Sequence, residues 1–203
     1  MKKLMIIGLV IGLAASAAAC SASQGTGGSA ATTSAPAAPA AATQSGAAKD
    51  EIPAAVRHAF TNAQSITKQH KDLSNEQIAR VEKQSGMKVA DKDHHSFLAF
   101  ATEGGKRKQI GAATIVNAQG RDLVVVYASE NGSPVIKEAH GEGSGLPQAF
   151  LDQFKNKGHD SKLRLGEDIK PQGPDNALAR AATDAIRLDV MTMQALYGSA
   201  HTH

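Results

Sequence analysis

The residues of this 203-residue chain with the most chemical potential lie in two turns. One is His140-Gly141-Glu142-Gly143-Ser144-Gly145 and the other is Gly173-Pro174-Asp175-Asn176. Glycines let backbone amides approach a ligand closely. A helix that starts after such a turn presents unpaired N–H groups and the positive end of its dipole, which suits an anion. The candidate cofactor-binding residues are therefore His140, Gly141, Glu142, Gly143, Gly145, Gly173, Asp175 and Asn176. The competing reading is that these glycines form a plain loop. Asp175 at the helix start also opposes a phosphate there, since like charges repel at that position.

Histidines are the second candidate chemistry. His94-His95 after Asp93, with His140 and His159, offers imidazoles suited to Zn, Cu or haem. Neighbouring residues on a strand point to opposite faces, so His94 and His95 cannot line one site. The simpler reading is exposed polar histidines at strand and loop ends, and on the tail for His201 and His203, so no metal ligand is assigned. No catalytic residue is assigned either. Ser144 falls short of a nucleophile elbow, because Glu142 and Leu146 stand where G-x-S-x-G needs glycine. Glu142 and Asp168 are carboxylates that nothing singles out. A binding role fits better than catalysis. The single cysteine, Cys20, excludes an intrachain disulfide and a cysteine-cluster metal site, and without C-x-x-C-H there is no c-type haem attachment.

Several segments surround these residues. Residues 1–19 carry Lys2-Lys3 and a long apolar run, the pattern of a secretory signal. Ala17-Ala18-Ala19-Cys20 resembles a bacterial lipobox, which implies acylation at Cys20, a membrane partner through that lipid anchor, and a place in the cell envelope. Ser21 then favours the outer membrane. The alternative is ordinary signal cleavage with Cys20 incidental. Residues 20–50 are rich in Ala, Ser, Gly and Pro and too poor in apolar side chains to offset chain entropy. They read as a disordered tether, and a flexible linker of about 30 residues reaches about 30 Å. The folded domain is expected over 51–198, with a disordered tail at 199–203.

Charge adds little. There are 22 Lys+Arg against 19 Asp+Glu, and removing Lys2 and Lys3 leaves 20 against 19, or +1. With 3% aromatics and no basic stripe interleaved with them, nucleic-acid binding has little support, and no nucleic-acid partner is expected.

Within the domain, Ile52, Val56, Ala59, Phe60 and Ala63 fall at helical spacing. Ser74-Asn75-Glu76-Gln77 is a capping-box pattern opening a second helix that Gly86 ends. Apolar runs at 97–101, 110–116, 122–128 and 135–136, divided by Gly104-Gly105, by the turn at 117–121 and by Asn131-Gly132, predict strands and hairpins. These runs are too continuously apolar for a sheet with one wet face, so helices should cover it. A short helix over 146–157, an extended piece at Leu163 and Leu165, and a long helix from Asp175 or Asn176 to Tyr197 complete the chain. The fold class is α+β: a four-stranded antiparallel meander covered by helices, with a long C-terminal helix.

This order, from about 51 to 190, resembles the FMN-binding domain of peripheral flavoprotein subunits in sodium-pumping NADH:quinone oxidoreductases and Rnf electron-transfer complexes. Three features carry the resemblance: Ile110-Gly111-Ala112-Ala113 in a central strand, the His140–Leu146 turn followed by Phe150-Leu151-Asp152-Gln153-Phe154, and Glu167-Asp168-Ile169. The family joins FMN to a Thr of an S-G-A-T-like turn. Here Lys170-Pro171-Gln172-Gly173-Pro174-Asp175-Asn176 has no Thr or Ser after Gly173, and the next hydroxyl is Thr183. The resemblance thus implies a domain holding FMN non-covalently or having lost it, accessory to electron transfer with an envelope redox partner. A non-redox ligand- or partner-binding module on the same fold, and a His-based metal or haem binder, are the alternatives.

Overall fold

The computed structural model describes residues 51–173 and 175–199. Expectations for the signal segment, Cys20, the tether, Pro174, His201 and His203 lie outside the described residues. Helix α1 (Ala54–Ala59) leads into strand β1 (Ser65–Asp72), helix α2 (Asn75–Ser85), and strands β2 (Asp93–Glu103), β3 (Lys106–Ala118), β4 (Arg121–Glu130) and β5 (Ser133–His140). A short helix α3 (Gln148–Leu151) continues as a 3-10 turn over Asp152–Phe154, and α4 (Asn176–Tyr197) ends the domain. All neighbouring strands pair antiparallel, in the spatial order β1-β2-β3-β4-β5.

The α+β class and the long C-terminal helix are as expected, but the sheet has five strands instead of four. The extra strand is β1, which runs along the edge of the sheet. Its sequence SITKQHKD carries one branched apolar residue, Ile66, and its side chains are mostly exposed. An edge strand is held by one ladder of backbone hydrogen bonds, and these leave no mark in a hydrophobic pattern. The first helix is correspondingly shorter than its apolar spacing suggests. It stops at Ala59, Phe60 leaves the helical conformation, and the chain turns into β1.

Local signals set the remaining elements. Ser74 and Gln77 form the reciprocal capping box of α2, and Gly86 ends that helix in the left-handed conformation. Three two-residue hairpin loops, Gly104-Gly105, Gln119-Gly120 and Asn131-Gly132, place both residues at positive φ. That is the turn geometry whose twist matches the flanking strands. Two bulges bend the sheet, with Ile110 and Lys137 as the residues without a register partner.

The sheet is buried on both faces. On one, Val56 and Phe60 from the α1 region pack on Phe97, Ala99, Ala113, Val124 and Val126. On the other, α3, the 3-10 turn, Leu163, Ile169 and α4 cover Leu123, Val125, Tyr127 and Ile136. The outer side of α4 meets α2 through Leu73, Val81 and Met191. This double covering explains why the strand runs are apolar without alternation. Because these cores close among the described residues, they form one compact unit. None of the described helices is long and apolar enough to cross a membrane.

Candidate functional site

A cleft of about 520 Å³ opens between the sheet and the last turns of α4. Leu98, Ile110, Tyr127, Met193 and Tyr197 give it a largely apolar lining, with Lys108 and Gln109 as polar members. The bulge at Ile110 forms part of the wall, and bulges often re-aim side chains beside functional sites. Tyr197 is fixed by its hydroxyl, 3.0 Å from both Ser96 Oγ and Gln69 Oε1. The Lys71 ammonium sits 4.3 Å from its ring centre.

Behind the Tyr127 wall lies a buried polar network centred on Asp189 of α4. Its carboxylate accepts from Thr114 Oγ1 at 2.5 Å and from the Tyr127 hydroxyl at 2.6 Å. His94 Nε2 lies 2.9 Å from the other oxygen. One side chain thus ties α4 to β2, β3 and β4. Burial, with the adjacent Asp189 charge and hydrogen bond, raises the Tyr127 phenol well above its ordinary value near 10. The phenol therefore stays protonated as a donor. His94 Nε2 meets Asp189 as a donor to its carboxylate oxygen, and His94 Nδ1 has no hydrogen-bond partner among the described residues. A single sequence signal pointed to this network: a carboxylate at position 189 inside the apolar stripe of Ile186, Val190 and Met193.

The two turns that the sequence singles out do meet. A Cβ added at Gly145 would lie 3.9 Å from Leu178 in the first turn of α4, and one at Gly173 would lie 3.1 Å from Pro147. Their chemistry is less open than their composition suggests. A Cβ at Gly141 would be 2.5 Å from Leu123 Cδ2 and 2.7 Å from Ser144 Oγ, so packing alone requires that glycine. Ser144 is buried and its hydroxyl accepts the Leu146 N–H at 3.2 Å, which braces the turn. Asp175 caps α4, accepting the Leu178 N–H at 2.9 Å, while Asn176 is the first residue of the helix and exposed. A polar cavity of about 480 Å³ beside this turn is lined by Arg121, Asp122, Glu142 and Gly143. Arg121 already donates to the Gly143 carbonyl at 3.2 Å, and two carboxylates share the space. That balance disfavours a phosphate. Thr183 is fully buried and its hydroxyl bonds the Ala179 carbonyl at 2.7 Å, so it offers no attachment point.

The histidines separate. His140 ends β5 and lies 2.8 Å from Glu138, and His159 pairs with Asp160 at 3.0 Å. Alternation sends His94 inward to Asp189 and His95 to the opposite face. There His95 meets His70 of β1, a residue that the missed strand kept out of the sequence reading. In the loop before α4, Asp168 accepts the Leu163 and Arg164 amides at 3.0 and 2.8 Å. Burial pushes its carboxyl up, but these amides, its own amide and Lys157 together hold it below the usual value. Asp168 thus organises a loop.

Comparison with protein-family models, with curated proteins and with solved structures finds no match for this chain.

Proposed function

We propose that this chain is a non-catalytic, lipid-anchored binding protein of the cell envelope, taking a small molecule with a flat apolar body between the sheet and the end of α4. The cleft beside Tyr127 and Tyr197 carries this reading, because its volume lies within the range of small-ligand sites and its lining is mainly apolar with few polar groups. Both tyrosine hydroxyls are already engaged, and Lys108 is the one ordinarily charged side chain in the lining. This supports binding over acid–base chemistry. The anchor rests on Cys20 at the end of Ala17-Ala18-Ala19. A flavin ring falls within the chemistry the cleft accepts, so the electron-transfer reading is kept as one identity of the ligand, without a phosphate site at α4.

The test uses residues 51–203, purified and examined by visible absorption, then titrated with the dye anilinonaphthalene sulfonate and separately with FMN. The dye should bind saturably to one site, and Ser129→Trp, which enters the cleft from the Tyr127 face of β4, should abolish that binding while leaving circular dichroism unchanged. Quenching of FMN fluorescence that Ser129→Trp also abolishes would identify the ligand as a flavin. Dye binding that survives Ser129→Trp undiminished would sink the proposal.

A further inference from the structure

On the sheet face opposite the cleft, two imidazoles and a carboxylate converge at the β1–β2 end. His70 and His95 are direct register partners, and Asp93 lies two residues before His95 on the same face. The ligating atoms of His70, Asp93 and His95 all lie within 4.8 Å of one another. Asp93 Oδ2 is 3.4 Å from His70 Nδ1 and 3.3 Å from His95 Nε2. The rings stand nearly perpendicular, at 86°, with centres 3.9 Å apart. Both histidines are partly exposed, so an ion can reach them from solvent.

These separations are informative. A charge-assisted N–H···O bond prefers about 2.7–2.9 Å, so 3.3 and 3.4 Å are long for direct pairing. Ligands on a tetrahedral zinc, with bonds of about 2.0–2.1 Å, sit about 3.3–3.4 Å apart along each edge. Asp93 thus stands from each ring nitrogen at the distance that shared coordination requires. The scaffold is also fixed in advance. Asp91 accepts the Asp93 amide at 3.0 Å, the Leu73 amide donates to the Lys92 carbonyl at 2.9 Å, and Lys92 pairs with Asp72 at 3.4 Å. His140 cannot join this group, since β5 lies four strand spacings of about 4.8 Å from β1 and three from β2 across the sheet.

We infer that His70, Asp93 and His95 form a divalent transition-metal site, with Zn2+ as its natural occupant. Two imidazoles and one carboxylate leave a fourth tetrahedral position for water or an exogenous ligand, and with no thiolate the set suits late first-row ions. By joining the edge strand to its neighbour, the ion clips β1 to the sheet. The inference is independent of the cleft, which occupies the other face.

The experiment uses the full chain in detergent, carrying Cys20→Ser, His201→Ala and His203→Ala so that the thiol and tail imidazoles do not compete. Calorimetric titration with Zn2+ should give one ion per chain. His70→Ala and His95→Ala should each weaken it by at least about 100-fold, at or beyond the upper end of the effect of losing a supporting partner. His140→Ala should leave it unchanged. Substituting Cu2+ should give an electron paramagnetic resonance signal with coupling to two nitrogens, reduced to one in His70→Ala. Zn2+ should raise the melting temperature of the parent but not of His95→Ala. Zinc binding that persists in both His70→Ala and His95→Ala, or that His140→Ala weakens equally, would overturn the assignment, as would no binding at all.

Discussion

Asp189→Ala tests whether one buried carboxylate holds the last helix to the sheet. The substitution removes the acceptor for the Thr114 and Tyr127 hydroxyls, which are 1% and 2% exposed by residue, and for His94 Nε2. Each orphaned buried donor costs about 1–3 kcal/mol. Against that, removing the carboxylate returns its own desolvation penalty. With three donors orphaned and that penalty returned, the net loss should be about 3–5 kcal/mol. Domains of this size are stable by about 5–15 kcal/mol, so the variant should sit near the edge of folding. Asp189→Asn keeps one oxygen for the two hydroxyls and turns its amide toward His94, which can accept by moving its proton to Nδ1. Its cost should be about 1–2 kcal/mol. Urea unfolding followed by circular dichroism reads both. A double-mutant cycle adds a sharper test. Adding Tyr127→Phe to Asp189→Ala removes one of the orphaned hydroxyls, so the double variant should lose less than the two single losses combined. Asp189→Ala within about 0.5 kcal/mol of the parent, or strict additivity with Tyr127→Phe, would refute the network's role.

Two further substitutions probe other parts of the fold. Gly111→Val places a Cβ 2.9 Å from Phe60 Cε1 and 3.1 Å from the Tyr127 carbonyl, so it should destabilise by about 1–3 kcal/mol despite valine's higher strand propensity. A neutral or stabilising result in urea titration would show that Phe60 moves freely. Asp168→Ala should cost about 1–2 kcal/mol at neutral pH by freeing the Leu163 and Arg164 amides. Because the folded state holds this carboxyl below its unfolded value near 3.9, the stabilisation is present above about pH 4 and fades as pH falls through the folded value. The gap between parent and variant melting temperatures should therefore narrow from pH 7 to pH 3, and a gap independent of pH would count against the argument.

Where the chain carries its own local instruction, sequence and structure agree. The reciprocal Ser74–Gln77 cap, the Asn131-Gly132 turn and the Asp175 cap each act within a few residues and can be read from them. β1 could not be read that way. Its pairing partner lies beyond an intervening helix, and its exposed polar side chains follow no period. Missing it also hid His70, because a cross-strand pair exists only once both strands and their register are known. Asp189 was legible in type but not in purpose. A carboxylate among Ile186, Val190 and Met193 marks a buried polar site, yet its partners come from three strands distant in the chain.

The glycine turn shows why composition alone overstates a binding site. Gly141 and Gly143 look alike in the sequence, but their surroundings differ. A side chain at Gly141 would collide with Leu123 and Ser144, whereas one at Gly143 would meet nothing within 4 Å, and the positive φ there is what favours glycine. Neither glycine therefore needs a ligand to explain it. The His94-His95 pair gives the opposite lesson. The alternation of a strand, which ruled out a shared site for the two rings, is the same property that splits them between two constellations. One ring completes a buried network behind the cleft, and the other faces His70 and Asp93 on the far side of the sheet. A sheet covered on both faces but with an open edge can thus support two chemically separate sites from consecutive residues.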